Sequence, residues 1–194
     1  MGGRPKALLP ITDGETFVTR IVRTFRAAGI IDIVVVVGHQ GERVRDVIRR
    51  SGLDVRVVDN SRYADGQFSS ILAGLEAVER PEVGATLLAL VDAPLFALST
   101  VRSIVARFDA TRAPVVRPVR GAEHGHPVLI RADLFDEIRR ADPTKGAKPV
   151  IRAHASESGD VMVDDAGAFI DVDTLEDYAR FVGEPDPAAG KVQL

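Results

Sequence analysis

Four clusters of polar residues in this 194-residue chain have the types and spacing to handle phosphates. The first is Gly2-Gly3-Arg4-Pro5-Lys6. Glycines let backbone N–H groups come close to a phosphate, and a lysine adds a point charge. No Ser or Thr follows Lys6, so this is not a Walker A loop, and alone it reads equally as a basic N-terminal stretch. The second is Asp92-Ala93-Pro94, directly after the apolar run Thr86–Val91. A carboxylate at a strand end is a hard oxygen ligand suited to phosphate-bound Mg²⁺, and equally a cap for the following turn. The third runs from Asn60 to Ser70 and includes Gly66, Ser69 and Ser70. Its hydroxyls and a helix N-terminus suit an anion or a base edge, a use compatible with plain helix capping. The fourth, Gly121–Pro127, sets His124 two residues from His126, a weak spacing for a metal in a chain without cysteine.

These clusters need elements to hold them. Phe17, Ile21, Val22, Phe25 and Ala28 recur at helical spacing, and Gly29 closes that pattern as a C-cap does. Ile33–Val37 is a continuous β-branched run, as expected of a strand buried on both faces. Glu42–Arg50 reads as a helix and Val55–Val58 as a strand. Ser69 or Ser70 is placed to N-cap a helix carrying Ile71, Leu72, Leu75 and Val78. Thr86–Val91 is a third buried strand, and Ser99 or Thr100 caps a helix with Val101, Ile104, Val105 and Phe108 inside.

Beyond Pro114 the spacing predicts short strands at Val115-Val116, His126–Ile130, Val161–Val163 and Phe169-Ile170. Helices are expected near Ala132–Arg140 and Gly146–His154, and from Thr174 as N-cap to Phe181. Alternating strands and helices predict an α/β, Rossmann-like fold. The expected sheet is mostly parallel with helices on both faces and a small antiparallel extension on the acceptor side. Residues 1–183 are expected to form one domain, and 184–194, rich in Pro, Gly and Ala, a disordered tail.

The bulk numbers exclude several classes. A net charge of -3 offers no basic field for nucleic acid or a membrane surface. The absence of cysteine removes disulfides and thiolate metal sites and fits a cytoplasmic protein. The longest apolar runs are far too short to span a bilayer. No G-x-G-x-x-G follows a strand, which disfavours a Rossmann oxidoreductase.

Taken in order, the clusters resemble the MobA-like nucleotidyltransferase family, most closely its molybdenum cofactor cytidylyltransferase branch. MGGRPKALLP is similar to the end of that family's glycine-rich signature, R-M-G-x-x-K-x-L-L-P. NSRYADGQFSSILAGL resembles N-x-x-(W/Y)-x-x-G-x-x-x-S-(I/L)-x-x-G. LVDAPL resembles the D-x-P metal motif, GHPVLI the G-H-P-V segment and DVDTLEDY the late D-(I/V)-D-T-x-E-D motif. PTKGAKPVI follows a G-D-x-G-A-R stretch loosely, with Lys148 in the arginine's place. The resemblance runs from Met1 to about Phe181.

That resemblance implies transfer of a nucleoside monophosphate from CTP or GTP to a phosphate monoester such as molybdopterin, with release of pyrophosphate. Lys6 would contact the triphosphate, beside Gly2 and Gly3. Asp92 would hold Mg²⁺ with Asp171, or with Asp173 as the fallback. Asn60, Gly66, Ser69, Ser70 and His126 would line the nucleotide and acceptor cleft. The implied partners are small molecules, with a molybdoenzyme or its chaperone as a possible recipient. Two further readings stay open: a sugar-phosphate or other small-acceptor nucleotidyltransferase, and a non-catalytic nucleotide-binding accessory protein. The family's first strand and the arginine ahead of M-G have no counterpart before Gly2. The expectation is therefore that Met1 is internal to a longer protein.

Overall fold

The computed structural model describes residues 3–12 and 14–183, so Gly2 and the 184–194 tail lie outside the described residues. Lys6–Leu8 forms a single 3-10 turn, followed by a small antiparallel ladder of β1 (Pro10–Thr12) and β2 (Glu15–Thr16). Helix α1 (Phe17–Ala27) opens with a capping box in which Thr16 and Thr19 exchange hydrogen bonds. It closes where Gly29 adopts a φ of 91°. Strand β3 (Val34–Val37), α2 (Gly41–Arg50) and β4 (Arg56–Asp59) make a βαβ unit, with β3 and β4 paired parallel.

Helix α3 (Gln67–Val78) leads to β5 (Ala85–Leu88), and α4 (Leu98–Thr111) to β6 (Val115–Arg120). Then come β7 (Glu123–His124), β8 (Val128–Arg131), α5 (Phe135–Arg139) and α6 (Lys148–His154). Strand β9 (Asp160–Met162) and α7 (Leu175–Phe181) complete the chain.

The α/β architecture is the expected one, but its hydrogen bonding is more mixed than a mostly parallel sheet. Strand β8 inserts antiparallel between β5 and β6, while β6 pairs antiparallel with β7 and parallel with β9. Helices cover both faces. On one, Val18, Val22 and Phe25 of α1 pack with Val44 and Ile48 of α2 and Val101 of α4. On the other, Phe68 and Leu75 of α3 pack with Ile130, Phe135, Ile138 and Val150.

Three local expectations are corrected. The apolar pair Phe169-Ile170 is not a strand; Ala166–Phe169 is a 3-10 turn, started by Asp165 accepting from the Gly167 N–H. Neither Ser69 nor Ser70 caps α3. The cap position is Gly66, whose φ of 97° suits glycine, and Ser69 donates back to the Gly66 carbonyl. Ser99 and Thr100 do not cap α4 either. Asp165 reaches across the fold and accepts from the Ala97 N–H at 2.7 Å and from the Thr100 hydroxyl at 2.5 Å.

One feature of the sheet has no counterpart in an ordinary α/β core. Strands β3 and β5 are not hydrogen-bonded to each other, and a slot of about 1210 Å³ separates them. Of their eight residues only Val37 is fully buried, although nearly all are aliphatic.

Candidate active site

Four segments bring their polar residues to the end of the sheet where β3 and β5 terminate. Leu9, just after the Lys6 turn, and Val172, between Asp171 and Asp173, are both fully buried in one cluster with Phe17 and Tyr178. The Phe17 and Tyr178 rings stack at 6.1 Å, and the Tyr178 hydroxyl donates to the Pro10 carbonyl at 2.6 Å. This small core fixes the N-terminal turn against the start of α7. The Val172 N–H then donates to the Asp92 carbonyl at 2.7 Å, which docks the Asp171–Asp173 segment on the turn after β5.

In that setting Lys6 Nζ donates to Asp173 at 2.9 Å, with the lysine mostly covered and Asp173 63% exposed. So half-open a pair contributes little stability, up to about 1 kcal/mol, and leaves Lys6 available for exchange onto an incoming anion. Asp92 is the more constrained carboxylate. Its Oδ1 is buried and has no hydrogen-bond partner among the described residues. Burial pushes its carboxyl above the usual range, the positive charge of Lys6 opposes this, and the charges of Asp171 and Asp173 add to it. A buried carboxylate oxygen without a donor beside a second carboxylate suits a hard divalent cation. The described residues contain no group of three or more His, Asp or Glu able to hold a metal by themselves. A cation here would draw its remaining oxygens from phosphate and water, as Mg²⁺ in phosphate chemistry does.

His126 faces the same two carboxylates. Its Nδ1 is buried and has no hydrogen-bond partner among the described residues. Burial holds the imidazole below its ordinary value, against the pull of Asp171 and then Asp92. The ring is therefore neutral at pH 7, and its NMR titration midpoint is expected below that of an exposed histidine. A midpoint at or above the ordinary value would contradict this environment. Backbone contacts set its position: the His126 N–H donates to Ala168 O at 2.7 Å, and the His126–Pro127 bond is cis. Gly125 makes that approach possible, since a Cβ there would stand 2.2 Å from the Ala168 carbonyl oxygen. Gly125→Ala is expected to cost about 2 kcal/mol in a urea melt, because backbone rather than a flexible side chain must yield. His124, by contrast, lies exposed on β7.

Several polar groups of the Asn60–Ser70 loop bond within the loop itself. Asn60 is buried and donates to Ser69 at 2.8 Å and Ser70 at 3.0 Å, while its oxygen accepts from the Arg62 N–H. Ser69 in turn donates to the Arg62 and Gly66 carbonyls. Asn60 and Ser69 thus spend their hydrogen bonds on shaping the loop. Gly3 presents its carbonyl to Gln40 at 3.2 Å and to Arg43 at 3.4 Å. The sequence pattern carries no signal for those two α2-end contacts, since they join segments about 40 residues apart. Thr174 caps α7 as expected, and Asp177 returns the bond in a capping box.

Residues 1–158 match the MobA-like NTP transferase domain. The chain belongs to that family. A curated relative, the bifunctional IPC transferase and DIPP synthase of Rubrobacter xylanophilus, is 39% identical over 132 residues. Those residues are 68% of this chain but 29% of the relative, so the chain spans less than a third of that protein's length. Among solved structures, Rv0371c of Mycobacterium tuberculosis in complex with manganese is 29% identical, with a TM-score of 0.75 over 93% of this chain and 92% of that one. The 4-diphosphocytidyl-2C-methyl-D-erythritol synthase of Anaerococcus prevotii, 15% identical with a TM-score of 0.64 over 91% of each chain, shares the fold. No helix among the described residues is long and apolar enough to cross a membrane.

Proposed function

We propose that this chain transfers a nucleoside monophosphate from CTP or GTP to a phosphate monoester and releases pyrophosphate. The observation that carries the reading is the convergence of Lys6, Asp92, Asp171 and Asp173 at the strand ends, with one buried Asp92 oxygen left without a donor. In open α/β sheets that edge is where ligands bind.

The reaction forms a bond from an acceptor phosphate oxygen to the α-phosphorus and breaks the bond from that phosphorus to the α,β-bridging oxygen. The bond pair leaves on pyrophosphate. Such a step asks the protein for alignment and charge neutralisation more than for covalent chemistry. Lys6 exchanges Asp173 for triphosphate oxygens and offsets charge on the departing pyrophosphate. Asp92 and Asp171 would hold the divalent cation, Mg²⁺ in our reading, which neutralises phosphate charge and orients the leaving group. Neutral His126 and Gly125 border the acceptor side, and the Asn60–Ser70 loop shapes the nucleotide wall. Gly2 and Gly3 would bring backbone close to the phosphates.

The motif resemblance favours molybdopterin as acceptor and a cytoplasmic setting with a molybdoenzyme or its chaperone downstream. The curated relative's name, an IPC transferase, favours a different phosphate monoester. Pyrophosphate release decides between them, measured with CTP or GTP, Mg²⁺ or Mn²⁺, and either molybdopterin or sugar phosphates as acceptor. Turnover with one nucleotide, dependent on the cation, is the expected result. Nucleotide binding by calorimetry with no pyrophosphate from any acceptor would instead make this a nucleotide-binding accessory protein.

A further inference from the structure

Strand β3 passes into α2 through Gly38-His39-Gln40, and Gln40 stands there with a φ of 56°, in the left-handed region. Glycine adopts that conformation freely, whereas a glutamine in it is strained. Among the described residues Arg112 is the other non-glycine with positive φ, and it sits at a helix C-terminus, where the left-handed turn is ordinary. Gln40 is at a helix N-cap, where the backbone is normally extended. The turn has little room to relax. A Cβ on Gly38 would stand 2.4 Å from Tyr63 Cβ, and one on Gly41 would stand 2.9 Å from Val37 Cγ2. The Asn60 N–H also donates to the Val37 carbonyl at 2.7 Å, so the end of β3 is tied to the Asn60–Ser70 loop.

What a glutamine adds at this strained position is its side chain. The Gln40 amide nitrogen donates to the Gly3 carbonyl at 3.2 Å and lies 3.2 Å from His39 Nε2. Its amide oxygen accepts from Arg43, which reaches the same Gly3 carbonyl at 3.4 Å. A glycine at position 40 would relieve the backbone and lose these bonds. Gly3 lies three residues ahead of Lys6, whose own turn is fixed by the Asp173 pair and by Leu9 in its small core. The loop is thus held at one end by that core and at the other by Gln40 and Arg43.

We infer, resting on the proposed reading of this loop as the triphosphate site, that Gln40 is a positioning residue for the nucleotide. Its side chain fixes the Gly3–Lys6 loop against the β3–α2 turn, and the same turn is pressed on Tyr63 of the Asn60–Ser70 loop. One strained residue therefore sets the spacing between the loop that takes the phosphates and the wall that takes the nucleoside. Gln40 acts through the loop backbone and touches no reacting atom. The strain is kept because a preorganised loop binds its anion without first having to be ordered.

Stability and nucleotide affinity are expected to move apart in Gln40→Gly. Its Tm should stay within about 2 °C of the native value or rise, since the strain is relieved. Its Kd for CTP or GTP with Mn²⁺, measured by calorimetry, should weaken about tenfold as the loop loses its preorganisation. In nucleotide-free protein the heteronuclear amide NOE of Gly3 and Arg4 should fall, reporting the released loop. Gln40→Asn is the second variant: asparagine tolerates the left-handed region, but its amide is one methylene too short to span from Gly3 to Arg43. It should show the same losses. Unchanged affinity and NOE in both variants overturn the inference. So does a Tm that falls in step with affinity, which makes Gln40 a residue of the fold alone. If the native chain binds neither nucleotide, the activity reading fails by itself and the NOE decides the role of Gln40. A fall then upholds its hold on the loop, and no change overturns it.

Discussion

Asp92→Asn is expected to lower kcat/KM for pyrophosphate release by about 10³-fold, roughly 4 kcal/mol of transition-state stabilisation. The substitution keeps the size of the side chain and removes the charge from the carboxylate whose Oδ1 lies buried without a donor. Calorimetry with Mn²⁺ should show the matching loss of cation affinity, while circular dichroism stays that of the native fold. Retained turnover would remove Asp92 from the site. The same residue predicts a stability change of opposite sign. Its carboxyl is held above the usual range in the folded state by burial, so ionising it costs the folded form more than the unfolded form. That penalty is complete above the folded value and vanishes below the unfolded one. In cation-free buffer Asp92→Asn should therefore raise Tm at neutral pH, and the gain should disappear as pH falls through the ordinary carboxylate range. Cation binding by the native protein should weaken over that same fall, as protons compete for the carboxylate.

Asp165→Ala is expected to destabilise the fold by about 3 kcal/mol, because it strands the half-buried donors of Ala97, Thr100 and Gly167 together. In a domain of this size that corresponds to a Tm lower by about 6–12 °C. Thr100→Ala removes one of those donors along with its partner bond and should cost much less. The double variant should be less than additive, since the two residues share a hydrogen bond. An Asp165→Ala protein that melts within about 2 °C of the native one would show that α4 needs no cap from this turn.

Much of the fold is legible in the sequence wherever the determinant is local. The β-branched run after Gly29, the periodic apolar residues of α1 and the Thr174–Asp177 box each fix an element from within a few residues, and the structure places strand, helix and cap there. Legibility fails where a side chain has two local uses. Ser69 has the right type for an N-cap but donates to carbonyls instead, because Gly66 takes the cap position with a backbone that only glycine adopts readily. Phe169 and Ile170 have strand character, yet the Asp165 turn outcompetes pairing.

The sequence by itself determined the class of fold, the family motifs and which residue types could meet phosphate and metal. Period, capping and turn chemistry are short-range, so they are written in neighbouring residues. Only the tertiary structure decided which of these groups meet. Lys6 pairs with Asp173 across 167 residues because Leu9, Phe17, Val172 and Tyr178 share one core and bring those two turns together. It alone also shows the two facing strand edges and the aliphatic slot between them. Pairing between distant strands is set by how helices pack over a sheet, and no local pattern carries that.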